Sequence, residues 1–296
     1  MIEARIARVV FAVQDPNPRV SGQGADALSR AGITVEAGLM QAEATELNIG
    51  FMKRMREGLP WVRVKLAMSL DGRTALANGA SQWITSEAAR ADVQRWRARC
   101  SAVMTGVGTM LADDPQLNVR VAEFKGRQPL RVVLDAQLRS PPGAKMFVGL
   151  GAVAAAPDVS GSHPGGVLVF TAVEGGISAE PAAFQSRRSA LLARGVRIEE
   201  VAADDGFLDL LAVLKKLGEL DVNEVLVEAG PTLAGQLLST SSVDELLLYI
   251  APKLLGPQGR PLVNLPELQS LQDALGFALF EAKRFGDDLR LRLRPK

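Results

Sequence analysis

Four stretches of the chain gather the residue types that could do chemistry. In VEAGPTLAGQLL (227–238) a strand ends, a glycine turn follows, and a helix begins near Thr232. A helix N-terminus presents unpaired backbone N–H groups and a partial positive charge, so this turn suits a phosphate or pyrophosphate. It suits an ordinary strand-to-helix connection as well, and it is not the G-x-G-x-x-G pattern. In TGVGTMLADDPQLNVR (105–120), Gly106 and Gly108 follow a strand, Asp113 and Asp114 follow a short apolar turn, and Arg120 comes last. Either Asp113 and Arg120 face a ligand there, or Asp114-Pro115 turns the chain and Arg120 sits in solvent. In KLAMSLDGRTALANGASQWIT (65–85), Lys65 lies on a strand between Val64 and Leu66, where a charge needs a partner or water. Trp83 stands in a polar loop, where an aromatic covers a cleft or anchors the loop. In RADVQRWRAR (90–99), Arg90 and Arg97 are seven residues apart and share a helical face. Two arginines so placed can hold a phosphate, or they form a solvated basic face.

The remaining reactive types are few. One cysteine, Cys100, and one histidine, His163, exclude a disulfide within the chain. That usage fits a reducing cytoplasm. It also leaves too few ligands for a His/Cys zinc site, so no metal is expected. Cys100 falls on the apolar face of its helix and reads as core. His163 falls in a Gly/Ser/Pro loop and reads as solvent-exposed. The balance of 34 Lys+Arg against 33 Asp+Glu gives a charge of +1 and calls for no nucleic acid or anionic membrane. There is no apolar run of membrane-spanning length, and the start lacks the features of a signal peptide. With 47% hydrophobic and 23% charged residues over 296 positions, the chain has material for about two domains.

The elements that must carry these residues alternate. Strands are expected at 5–14 and 33–40, with a short helix at 24–32. An amphipathic helix is expected at 41–58, with Leu47, Phe51 and Met55 on one face. Gly58-Leu-Pro60 marks a boundary. Beyond it come strands at 61–72, 101–109, 129–136, 166–172, 196–203, 223–230 and 245–256, and helices at 85–100, 184–194, 207–220 and 232–240. Thr85 is placed as the cap of the 85–100 helix. Residues 149–166 read as a long loop. The chain closes on FALFEAKRF and DLRLRLRP, where leucines alternate with arginines, so the two types take opposite faces. Strands alternating with helices, then a closing strand pair, predict an α/β fold with a mixed sheet and an antiparallel edge.

Together VQDPNPRVSGQG, the stretch from Leu47 to Ala98, TGVGTMLADDPQLNVR, PLRVVLDA and VEAGPTLAG resemble the bifunctional riboflavin-biosynthesis deaminase/reductase family, in order and spacing. The resemblance implies a dihydrofolate-reductase-like mixed sheet flanked by helices over 59–296, preceded at 1–58 by the C-terminal remnant of a cytidine-deaminase-like domain. The His-x-Glu and paired cysteines of such a deaminase are absent, so deaminase activity is expected to be absent too. For 59–296 it implies NADPH-dependent reduction of 5-amino-6-(5-phosphoribosylamino)uracil to its ribitylamino counterpart in riboflavin biosynthesis. Ser81, Arg97, Leu117, Arg120 and Glu228 match the family's substrate positions. Ala67, Trp83, Thr109, Asp113 and the turn Gly230, Pro231, Thr232, Leu233, Ala234, Gly235 and Gln236 match its cofactor positions. Lys65 and Asp113 are the candidates for proton donor. The family often has two glycines after the glutamate, and here Ala229 stands first. A cytoplasmic homodimer is implied, with a separate deaminase chain as a possible partner. Two alternatives stand beside this reading. One is a related NADPH reductase of another pyrimidine or pterin. The other is a truncated NADPH-binding protein without turnover.

Overall fold

The computed structural model describes residues 1–150, 165–173 and 181–296. His163 and most of the expected 149–166 loop lie outside the described residues. The chain begins with β1 (Arg8–Phe11), α1 (Gln23–Arg30), β2 (Thr34–Ala37), α2 (Gln41–Leu47) and α3 (Ile49–Glu57). Next come β3 (Trp61–Ser69), β4 (Arg73–Ala75), α4 (Glu87–Arg99), β5 (Ala102–Gly106), α5 (Val107–Asp113) and β6 (Leu130–Leu134). The second half runs β7 (Val167–Ala172), α6 (Pro181–Ala193), β8 (Arg197–Val201), β9 (Ala203–Asp204), β10 (Phe207–Leu208), α7 (Leu210–Glu219) and β11 (Glu224–Glu228). It ends with α8 (Pro231–Ser239), β12 (Glu245–Ala251), β13 (Arg260–Pro261), β14 (Phe277–Phe285) and β15 (Asp288–Pro295).

Nine strands form one sheet in the order β14-β15-β12-β3-β11-β5-β6-β7-β8. From β12 to β8 every pairing is parallel, whereas β15 runs antiparallel to both β12 and β14. The mixed, dihydrofolate-reductase-like sheet with its antiparallel edge is therefore present. Two buried cores cover its faces. Val62, Val64, Val225 and Val227 pack with α7 and α8 on one side. Val103, Leu226 and Tyr249 pack with Ala89 and Val93 of α4 on the other. Period-two alternation sorts the central strands, so Arg63, Lys65 and Ala67 share the α4 face.

Several boundaries differ from the sequence reading. The expected helix at 41–58 is two helices that meet at Asn48. Its buried residues are Ile49, Gly50 and Met52, whereas Leu47 is 73% exposed. The three residues thought to form its apolar stripe therefore do not face the sheet together. Gly50 is needed because a Cβ there would stand 2.5 Å from the Asn223 carbonyl oxygen. The cap of α4 is Ser86, whose Oγ accepts from the Ala89 N–H at 3.3 Å, and not Thr85. The Ser86 N–H itself donates to Asp288 at 2.6 Å, which fixes the helix start to β15. The apolar turn expected after Gly106 is the helix α5. On β15, Asp288, Arg290 and Arg292 are the buried side chains and Leu289 is 40% exposed. The arginines face Asp92, Glu245, Glu281 and Glu46, which is why they are covered. The strands at 5–14 and 33–40 shorten to four residues each and pair only with one another, in a two-stranded parallel sheet.

Candidate active site

β11 lies beside β3 with Glu228 opposite Lys65. Register partners on neighbouring parallel strands point to the same face about 5 Å apart, so the sheet itself sets an ammonium beside a carboxylate. A third charge comes from α4. Arg97 Nε and Nη2 donate to the two Glu228 oxygens at 2.5 and 2.9 Å, and Nη1 donates to the Asn118 carbonyl at 3.0 Å. α4 is held for this task through Asp92, which accepts from Tyr249 Oη and Arg290 Nη1, both at 2.7 Å. Burial pushes the Glu228 carboxyl up, but the Arg97 charge and hydrogen bonds, with Lys65 and Arg120, outweigh it and leave the group below the usual carboxylate range. Burial pulls the Lys65 ammonium down; Glu228 opposes that and Arg97 adds to it, so the net direction is downward. Lys65 Nζ makes no hydrogen bond among the described residues and lies 5.9 Å from the Tyr249 ring.

This trio lines a cleft of about 1600 Å³. Small-molecule pockets run to roughly 300–1000 Å³, so this cleft is larger than one such ligand needs. Its location follows from topology. β11 sits between β3 and β5, and α4 and α8 leave the sheet on opposite faces. The carboxyl ends of these strands therefore open a crevice between two diverging helices, the usual ligand position of an open α/β sheet.

Ser81, Arg97, Leu117, Arg120 and Glu228 all line this cleft, and so do Lys65, Ala67, Trp83, Thr109 and Asp113. From the 230–236 turn, Gly230, Pro231, Thr232, Leu233 and Gln236 line it too. Ala234 and Gly235 do not. Ala234 is fully buried in the core, and a Cβ on Gly235 would stand 1.8 Å from the Asn264 carbonyl oxygen. Their side of α8 is occupied by protein, so they serve packing. The two proposed phosphate arginines share the cleft but differ in state. Arg97 is buried and committed to Glu228. Arg120 is exposed, with its backbone N–H donating to Gln94 at 2.8 Å and its guanidinium making only long contacts to Gln116 and Asn118. Arg90, the other arginine of the expected face, lies 4.4 Å from the Trp83 ring centroid and donates to the Thr85 carbonyl at 2.7 Å. Asp113 stands exposed at the end of α5.

The start of α8 has no side-chain cap, and Pro231 occupies its first turn. The Gly230 N–H donates to Thr109 Oγ1 at 3.2 Å, which ties α8 to α5. Pro231 has no N–H, and Thr232 and Leu233, which follow it in the first turn, line the cleft, with Thr232 exposed. A pyrophosphate suits the N–H groups of that turn. Sequence reasoning missed Gln94, Asn118 and Thr105. Gln94 was findable, since it lies four residues after Arg90 and three before Arg97 on one stripe. Asn118 acts through its carbonyl and Thr105 by donating to the Glu228 carbonyl at 2.7 Å, roles that side-chain identity does not announce.

Residues 60–291 match the family described as the RibD C-terminal domain. The chain is 43% identical to the riboflavin biosynthesis protein RibD of Escherichia coli K12 over 304 residues, covering 99% of this chain and 76% of that protein. It is 41% identical to the RibD of Haemophilus influenzae, covering 100% and 75%. Among solved structures, it is similar to a RibD of Acinetobacter baumannii, with a TM-score of 0.80 and 37% identity over 100% of this chain and 74% of that one. It is also similar to the diaminohydroxyphosphoribosylaminopyrimidine deaminase/5-amino-6-(5-phosphoribosylamino)uracil reductase of Thermotoga maritima. That likeness has a TM-score of 0.78 and 28% identity over 100% and 73% of the two chains.

Proposed function

This chain belongs to the RibD C-terminal domain family, and from that premise we propose that it reduces 5-amino-6-(5-phosphoribosylamino)uracil with NADPH. It is an NADP-linked oxidoreductase of riboflavin biosynthesis by family. The observation that carries the finer reading is the Lys65–Glu228–Arg97 trio in one cleft with an Arg120 that has no carboxylate partner among the described residues and the uncapped start of α8. The residues fit the cofactor. Gly230 has no Cβ at the turn, Thr109 steadies it, and the amides after Pro231 suit a pyrophosphate. Bound there, NADPH supplies a hydride.

The protein's own residues then have separable tasks. Glu228, held ionised by Arg97, accepts hydrogen bonds from sugar hydroxyls. Arg120 receives the 5′-phosphate, with Arg97 adding positive field behind it. Ser81 and Leu117 bound the pyrimidine end, and Trp83, braced by Arg90, covers the cofactor. Ala67 leaves space beside the ring on β3. Opening of the ribose breaks the C1′–O4′ bond: the exocyclic nitrogen gives up its N–H proton as it forms an imine with C1′, O4′ gains a proton, and the nitrogen takes a proton back when C1′ is reduced. Lys65 is placed to give O4′ its proton, since it is half-buried, free of hydrogen bonds and lowered toward proton exchange. Asp113, exposed at the cleft mouth, is assigned to a cofactor hydroxyl in preference to the proton.

Residues 1–58 we assign to the end of a deaminase-like domain, with 59–296 as the reductase. Residues 1–296 lack the zinc ligands of a deaminase, so deaminase turnover by these residues is proposed to be absent, and a homodimer is our assignment. The test is NADPH oxidation followed by absorbance, with the phosphorylated substrate set against its dephosphorylated form. Oxidation that depends on the phosphate supports the assignment. Equal rates point to the alternative pyrimidine or pterin reductase, and NADPH binding with no oxidation points to a protein without turnover.

A further inference from the structure

The Lys65 ammonium has no hydrogen-bond partner among the described residues, and an aromatic ring stands beneath it. Tyr249 lies on β12, the strand next to β3; its register partner is Ala67, while Lys65 pairs with Leu247. Those four side chains share one face of the sheet. A strand spacing of about 4.8 Å and a two-residue step of about 6.6 Å set Lys65 and Tyr249 about 8 Å apart along the diagonal, within reach of a long side chain and a ring. Lys65 Nζ stands over the Tyr249 ring, 5.9 Å from its centroid. The negative face of a ring attracts an ammonium at that range, and more strongly where the pair is desolvated.

The ring is fixed independently of Lys65. Tyr249 is fully buried, and its Oη donates to Asp92 Oδ2 at 2.7 Å. Asp92 is held in turn from β15 by Arg290 Nη1 at 2.7 Å and from its own helix by Arg95 Nη2 at 3.1 Å. Burial, and then the Asp92 hydrogen bond, push the hydroxyl above the usual tyrosine range, so Tyr249 stays neutral and keeps donating to α4. A phenylalanine would offer the same ring face without that tie. The charged groups around Lys65 come from several elements. Glu228 from β11 favours the ammonium and Arg97 from α4 opposes it. Arg120 acts on both of those groups from its loop, and Asp113 reaches the same cleft from the end of α5. Glu245, further back on β12, is paired with Arg63 and Arg292, and Arg290 is paired with Asp92 and Glu281. Both Glu228 oxygens already accept from Arg97. The ring face is thus the attraction left to fix where Nζ points.

We propose that Tyr249 is a positioning residue for the proton donor: its ring, pinned through Asp92 to α4, seats the Lys65 ammonium beside Glu228. This deepens the reading of Lys65 as the acid and rests on it, and two measurements separate the two. Tyr249 is the single tyrosine of the chain, so fluorotyrosine supplied during expression labels this ring alone. Its fluorine NMR signal, followed against pH on the whole chain, should shift through an alkaline step that disappears in Lys65→Met. A signal without such a step, or with the same step in Lys65→Met, overturns the seat with no reference to turnover. The second measurement is kcat against pH for the unaltered protein, Tyr249→Phe and Tyr249→Leu, with Lys65→Met as control. The ring favours the charged form of Lys65, so removing it lowers the pH at which the proton is lost. Tyr249→Phe keeps the ring and should keep the alkaline limb in place. Tyr249→Leu should move the limb toward lower pH by about half a unit to one unit. A limb unmoved in Tyr249→Leu, or moved as far in Tyr249→Phe, overturns the seat alone. A limb that persists in Lys65→Met overturns the acid reading and the proposal with it. If Tyr249→Leu does not fold, the fluorine titration decides, since it keeps every side chain of the seat in place.

Discussion

At the residue scale, the two arginines of the cleft make different predictions because their surroundings differ. Arg120 has no carboxylate partner, so its donors are available to an anion. Arg120→Ala should raise KM for the phosphorylated substrate by about 10- to 100-fold and leave NADPH affinity alone; steady-state kinetics with each ligand varied checks this. Arg97→Ala should instead strip Glu228 of its partner and damage both kcat and KM. Lys65 yields a pH prediction. Its ammonium is drawn down by burial, so the proton is present below that lowered value and lost above it. Turnover should fall on the alkaline side at a pH below the ordinary lysine range. Lys65→Met should remove that limb and cost about 10²- to 10⁴-fold in kcat. An alkaline limb that persists in Lys65→Met would reassign the proton. Arg97 and Lys65 stood out in the sequence as a charge on a helical stripe and a charge inside an apolar strand, whereas Arg120 lies in a loop and was picked out by the family resemblance. That Arg97 is already spent on Glu228 was not legible, because the two are 131 positions apart and meet only through the sheet.

At the element scale, glycines decide how closely layers approach. Gly235 of α8 faces the Asn264 carbonyl, where a Cβ would stand 1.8 Å away. Gly235→Ala should push α8 off the 264 loop and cost about 1–3 kcal/mol, seen as a lower Tm with weakened NADPH binding. A variant of unchanged Tm would show that the approach is not tight. The same logic explains what the sequence concealed. The run after Gly106 was too short for helical periodicity to register, so α5 was read as a turn. The arginines of β15 alternated as a strand requires, but alternation alone does not tell which face is covered. Here carboxylates and the rings of Trp96, Phe280 and Phe285 cover the charged face. The break at Asn48 escaped detection because apolar residues continue at helical spacing across it. The order of the longer strands and helices beyond Trp61, by contrast, followed from alternating patterns bounded by Gly and Pro, whereas α5 and the two- and three-residue strands β4, β9, β10 and β13 did not.

At the scale of the whole molecule, one charge network ties the parts together. Glu245 accepts from Arg63 at 2.7 Å and from Arg292 at 2.9 and 2.8 Å, and Arg292 and Arg294 both reach Glu46 of α2. Burial pushes the Glu245 carboxyl up, but the arginines hold it down at about 2. A carboxyl depressed in the folded state stabilises above its ordinary value of 4.5 and loses that stabilisation as pH falls toward 2. Thermal midpoints should therefore drop across that interval. Glu245→Gln should flatten the drop and destabilise at neutral pH by about 3–5 kcal/mol, since it leaves Arg63 underpaired. Because Glu46 lies on α2, the network also fastens that helix to the nine-stranded sheet. The central claim, however, concerns the cleft, and one measurement tests it most directly. The chain is given NADPH deuterated at the transferable position and the phosphoribosylaminouracil, and the product is read by mass and by NMR. The account predicts a phosphoribityl product with one deuterium on C1′. Deuterium at another carbon, or unreduced substrate beside fully retained label in the NADPH, would contradict it.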